Sequence, residues 1–186
     1  MSGKPLVKPT AGLGELESLM HRYQQADSDA ASALIVQISP QLFKFFLGQV
    51  RDRSSAEDLL QDFWLRIHNA RRTYRVGEPV LPWLYAIARR VQIDDFRRKS
   101  RIRSHEFQTE HVPEPPPQEP AGNTLPDIAD LLKELPPAQK ETILLLKVAG
   151  LSLEEAARVT GTTVGAVKQK AHRAYSTLRK SLGGSA

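Results

Sequence analysis

The sequence predicts an all-α protein of two small helical domains, and three observations carry that expectation. Apolar residues recur at helical spacing on both sides of a proline-rich interruption. No stretch sustains the alternating pattern of a strand bounded by turn residues. The C-terminal end reads as a short helix, a glycine turn and a longer helix.

The elements follow in chain order. Residues 1–14 are expected to form a flexible N-terminus and residues 15–103 a first domain. There, Leu16, Leu19, Met20 and Tyr23 share one helical face. A second helix, Ala30 to Val50, carries Leu34, Ile38, Leu42, Phe45 and Phe46, with Pro40 placed to split or kink it. A third is expected to open at Ser54 or Ser55, because Ser54 with Glu57 and Ser55 with Asp58 have capping-box spacing. Its buried stripe is expected to be Leu60, Phe63, Trp64 and Ile67, ending near Arg71–Arg72. After the loop YRVGEPVLP, a fourth helix is expected from Pro82 or Trp83 to about Arg101, with Leu84, Ile87, Val91 and Phe96 inward.

Residues 104–126 change character, with prolines at 113, 115, 116, 117, 120 and 126, four glutamates and no Lys or Arg. Proline fixes φ and removes an amide donor, so this stretch reads as an acidic, semi-stiff linker. Residues 127–186 form the second expected domain. Asp127 can cap a helix to Leu135, and Pro137 suits the first turn of a helix ending at Gly150. Ser152 with Glu155 is a capping box for a short helix to about Thr160. Gly161 marks a tight turn, and Thr162 or Thr163 caps a last helix to about Leu182. Its inward face is Val167, Ala171, Ala174, Tyr175, Leu178 and Leu182.

The chain has 26 Lys and Arg against 21 Asp and Glu, a net charge of +5, which fits a polyanionic partner. It has no cysteine, which excludes disulfides, thiolate zinc sites and cysteine nucleophiles. No signal peptide and no apolar run near ~20 residues is evident, so a soluble, cytoplasmic protein without membrane insertion is expected. The five histidines, at 21, 68, 105, 111 and 172, show neither metal-ligand spacing nor a triad. No catalytic residue, metal or cofactor is therefore expected, and an enzyme such as a DNA recombinase is disfavoured.

Three surfaces stand out. In the last helix Lys168, Gln169, Lys170, His172 and Arg173 lie opposite the apolar face, and no acid occurs between Thr160 and Ala186. Turn glycine, small Ala156 and Ala157 and this charge asymmetry together favour a helix that enters the DNA major groove over a merely solvated face. The run RRVQIDDFRRKSRIR, Arg89 to Arg103, has seven basic and two acidic residues, 7 − 2 = +5. Beside Trp83 and Tyr85 it suits unstacked nucleic acid, although Trp83 alone reads first as core. Asp94 and Asp95 read as ion-pair partners of the arginines. On the third helix Asp58, Gln61, Asp62 and Leu65 share an outer face. From spacing alone these acids merely complement the helix dipole.

In combination these residues resemble the extracytoplasmic-function sigma factors of bacteria, over about Leu16 to Leu182. SSAEDLLQDFWLRIHNA is similar to the family's polymerase-binding helix and PWLYAIARRVQIDDFRRKSR to its helix for the promoter −10 element. LPPAQKETILLLKVAGLSLEEAARVTGTTVGAVKQKAHRAYSTLRK is similar to its −35-binding domain. The resemblance implies transcription initiation at promoters, in a stress response, with core RNA polymerase, double-stranded and melted promoter DNA, and an anti-sigma factor as partners. It implies polymerase contact by Asp58, Leu59, Gln61, Asp62 and Leu65 on the β′ clamp helices, with the second domain at the β flap. It implies −10 contact by Arg75, Val76, Gly77, Glu78, Trp83, Arg89, Arg90, Arg97, Arg98 and Arg101, the loop Arg75–Leu81 capturing a flipped base. It implies −35 contact by Thr163, Gly165, Lys168, Gln169, Lys170, His172 and Arg173.

Two departures matter. Arg90 stands where many members have Asn, and Lys168 and Lys170 stand where arginines are usual. Lysine cannot make the bidentate guanine contact, so these two are expected to serve phosphates more than bases. A sigma-like decoy that sequesters an anti-sigma factor without touching DNA would be expected to lose both basic surfaces. A plain dimeric repressor would leave the basic helix without a task.

Overall fold

Most segments whose apolar residues recur every three or four positions are helical in the computed structural model, which describes residues 14–50, 52–106 and 132–183. Every regular element among these residues is a helix, as expected. The first group is α1 (Glu15–Gln24), α2 (Ser28–Val50), α3 (Arg53–Ala70), a 3₁₀ turn (Arg71–Thr73) and α4 (Val80–Glu106). The second is α5 (Pro137–Ile143), continued by a π turn (Leu144–Val148), then α6 (Leu153–Thr160) and α7 (Val164–Gly183).

Several local expectations are corrected. Pro40 lies inside α2, which runs unbroken for 23 residues. By length and mean hydropathy, 1.4, α2 could cross a membrane, but its Leu34, Ile38, Leu42, Phe45 and Phe46 are packed in the protein core. Neither serine caps α3. Asp52 does, accepting from the Ser54 and Ser55 amides at 3.3 and 2.8 Å. A carboxylate takes two amides at once and answers the positive end of the helix. Hydrogen bonds from Ser55, above all, hold the Asp52 carboxyl below its ordinary range.

The buried stripe of α3 is Ala56, Leu59, Phe63 and Ile67, with Leu60 and Trp64 only partly covered. Phe96 is 68% exposed rather than inward, because Asp95 takes the core side of α4 one turn beyond Val91. Tyr175 is likewise exposed, its ring 6.0 Å from the Lys147 ammonium, while Val167, Ala171 and Ala174 face inward. Of the helix expected over Asp127–Leu135, residues 127–131 lie outside the described residues. Residues 132–135 form turns whose Leu132 and Leu135 are buried. α4 extends to Glu106, past its expected end.

The two groups pack on one another and share one hydrophobic cluster. Gly48 of α2 is the close-approach point: a Cβ there would lie 2.7 Å from Leu144 Cδ2. In the second group Ala156 and Ala157 are buried in α6, and Gly161 turns the chain at φ 65°. The expected capping box is complete: Glu155 N–H donates to Ser152 Oγ at 3.1 Å, and Ser152 N–H to Glu155 Oε2 at 2.8 Å. Ser152→Ala is expected to cost about 1 kcal/mol, read as a lower midpoint in thermal melting.

Candidate nucleic-acid interface

The basic face of α7 is built by helical spacing alone. Gly165, Lys168, Gln169, His172 and Arg173 form one exposed stripe, with Lys170 half-buried at its edge. Thr163 precedes it and caps α7, its hydroxyl accepting from the Ala166 amide at 3.2 Å. The inward residues Val167, Ala171 and Ala174 seat α7 on its neighbours, so its polar stripe stands outward on a rigid base.

The second basic surface runs along α4. Trp83, Arg90, Asp94, Arg97 and Arg101 recur at helical spacing on one stripe, and the three arginines are exposed. Arg98 lies beside them, its guanidinium 2.6 Å from Asp95 with the side chain still 71% exposed. Lys99 also reaches Asp95, at 2.9 Å, so this largely buried carboxylate has two cationic partners. Asp94 pairs with Arg66 of α3 at 2.6 Å, and that hydrogen bond is the main reason its carboxyl sits below the ordinary range. Both acids therefore orient cations, as their setting suggested.

Arg89 departs from its neighbours. It turns away from the exposed stripe and pairs through Nε with Glu141 Oε1 of α5 at 2.8 Å. Glu141 was not singled out in the sequence, where nothing marks one glutamate in a short helix as the partner of an arginine 52 residues earlier. Glu141→Lys would set two cations against each other in this half-buried place. We expect it to loosen the contact between the two helical groups by about 1–2 kcal/mol, seen as a larger radius of gyration in small-angle scattering.

At the N-terminal end of α4 the loop arches over a cleft of about 300 Å³. Tyr74, Arg75, Glu78 and Trp83 line it from one side, and Arg158 and Val159 of α6 from the other. The Tyr74 and Trp83 rings meet edge to face at 5.5 Å. Trp83 is thus partly core and partly cleft wall. The Tyr74 hydroxyl donates to the Glu78 carbonyl. Burial first, then the Glu17 and Glu78 carboxylates, push that hydroxyl up to about 12, so it stays a donor at neutral pH. Gly77 holds φ 95° at the loop tip, a conformation open to glycine, while Arg75, Val76 and Glu78 are exposed beside it.

A third surface is acidic. Asp58, Gln61 and Leu65 of α3 are exposed, Leu65 by 61%, and Asp62 is half-buried. Arg66 is shared between Asp62 at 3.1 Å and Asp94 at 2.6 Å, bridging this face to α4. Leu59 is corrected: it is 4% exposed and belongs to the core, since it shares a stripe with Ala56 and Phe63. It cannot offer its side chain to a partner.

Both helical groups match known protein families. Residues 34–102 match the family described as Sigma-70 region 2, and residues 125–178 match Sigma-70, region 4. The chain is 31% identical to the RNA polymerase sigma factor CarQ of Myxococcus xanthus, covering 88% of this chain and 95% of that protein. It is 30% identical to the ECF RNA polymerase sigma factor SigX of Bacillus subtilis, covering 75% and 76%. Among solved structures, the sigma factor RpoE of Bartonella quintana, in complex with the anti-sigma factor NepR, superposes with TM-score 0.66. That match has 26% identity and covers 83% of this chain and 98% of the other.

Proposed function

The chain belongs to the extracytoplasmic-function RNA polymerase sigma factors, which direct promoter-specific transcription initiation, and on that premise we propose how its surfaces divide the work. Residues 15–103 act as the domain for polymerase and the −10 element. Residues 127–186 act as the −35 domain, tethered by residues 104–126. The exposed acids Asp58 and Asp62, with Gln61 and Leu65, dock on core polymerase. The α7 stripe from Gly165 to Arg173 enters the −35 major groove, where its lysines neutralise phosphates and its polar side chains reach base edges. Arg90, Arg97, Arg98 and Arg101 track the opened −10 strand, and the loop at Arg75–Leu81 takes one unstacked base into the cleft.

Arg89 can join them only when its pair with Glu141 parts. Full engagement of the −10 element thus goes with separation of the two helical groups. The named relatives are sigma factors rather than enzymes. The Bartonella relative was solved with an anti-sigma factor. By that likeness an inhibitor protein is the expected partner of the free chain, in the cytoplasm where polymerase works.

The observation that carries this reading is the presence, on one chain, of two outward basic stripes and one outward acidic face. A photo-crosslinker placed at Gln169 should mark duplex DNA near −35, and one placed at Val76 should mark the −10 strand only after opening. Crosslinks from Gln169 scattered evenly along the promoter would argue against the assignment.

A further inference from the structure

The residues matched to Sigma-70 region 2 begin at position 34, so α1 lies outside them. Yet α1 supplies the contacts that hold the segment between α3 and α4. Gln24 donates from Nε2 to the Arg71 carbonyl at 2.8 Å and to the Tyr74 carbonyl at 2.7 Å, spanning the 3₁₀ turn. Glu17 accepts, through Oε1, the amide of Val80 at 3.0 Å, at the first residue of α4. Positions 17 and 24 are two helical turns apart and share one face. That face grips the segment at both ends, and residues 75–79, all exposed, arch between the grips, tied within the loop by the Tyr74 hydroxyl and the Glu78 amide.

The clamp itself is anchored. Met20 and Tyr23 bury α1 in the core, and the Tyr23 hydroxyl meets His68 Nδ1 of α3 at 3.0 Å. The Arg71 guanidinium lies 5.8 Å from the centre of the Tyr23 ring. Each contact removes freedom from the loop before any ligand arrives, and preorganisation of this kind sharpens selection by shape.

We infer that α1 is a clamp for the base-capture loop, with Gln24 and Glu17 as positioning residues for recognition of one unpaired promoter base. The inference rests on the reading of Arg75–Leu81 as the element that takes that base. Gln24 touches no DNA; it fixes the two carbonyls from which the loop departs. Nothing in the sequence marks it, since the pair Gln24–Gln25 at a helix end belongs to no motif.

The test uses the complete chain assembled with core polymerase, on four templates that differ only in the captured base. The rate of open-complex formation is read on each. Gln24→Met keeps the bulk and removes both donors. It should shrink the ratio between the best and worst base by about fivefold to tenfold, with affinity for core polymerase unchanged. Glu17→Met should act in the same direction, and Glu17→Gln, which keeps an acceptor oxygen, should restore most of the ratio. These two variants carry the test if Gln24→Met fails to fold. Gly77→Val, strained at the loop tip, is the reference. If it alters base preference while Gln24→Met and Glu17→Met do not, the clamp is overturned and the loop reading stands. If none of the three alters preference, the loop reading itself fails. An equal loss of rate on all four templates would reduce α1 to a structural support and overturn the proposal.

Discussion

Replacing Asp58 and Asp62 together by arginine is expected to weaken binding to core RNA polymerase by more than about 100-fold, since like charges facing each other across an interface cost several kcal/mol. The change takes these two positions from a charge of −2 to +2. Asp58 is exposed, and Asp62 sits beside Arg66, which would then face a cation instead of its partner at 3.1 Å. Within the helix that repulsion costs only a few tenths of a kcal/mol. Arg66 also keeps Asp94 at 2.6 Å. The fold should therefore survive, with an unchanged helical circular dichroism spectrum, while co-elution with core polymerase is lost. A double variant that still co-elutes would remove the acidic face from the polymerase interface.

Arg97→Ala with Arg98→Ala is expected to weaken open-complex formation at a cognate promoter and to flatten its dependence on salt. Each phosphate contact contributes about one unit to the slope of log affinity against log salt, so the pair should lower it by about 2. The fold has a safeguard against a trivial result. Removing Arg98 takes one partner from largely buried Asp95, but Lys99 remains 2.9 Å away to balance it. Arg97 is exposed. Unchanged rates and an unchanged salt slope would assign these arginines to solvent.

The helix-turn-helix was legible because its signals are local. Ser152 and Glu155 cap α6 within four residues, and Gly161 turns the chain where only a short connection is possible. The basic stripes were legible for the same reason, since helical spacing converts sequence order directly into faces. What failed depended on partners distant in sequence or on competition between neighbours. Asp52 displaced two serines as the cap of α3 because a carboxylate is the stronger acceptor. Leu59 and Leu60 competed for one core position, and the rotation of α3 decided for Leu59. Phe96 lost its inward place to Asp95, an outcome that hydrophobicity alone could not foretell, because Arg98 and Lys99 make burial of that carboxylate tolerable. The pair Arg89–Glu141, the approach of Gly48 to Leu144 and the reach of Gln24 to the loop all join residues far apart in the chain. No periodicity announces such contacts.

Start-site selection is the property on which all three surfaces converge. Purified chain, freed of any inhibitor, should be added to bare core polymerase from its own host in run-off transcription on genomic fragments. Discrete transcripts that appear only with the chain, from starts sharing upstream −10 and −35 elements, are the predicted result. Transcription identical with and without it on every fragment would contradict the account.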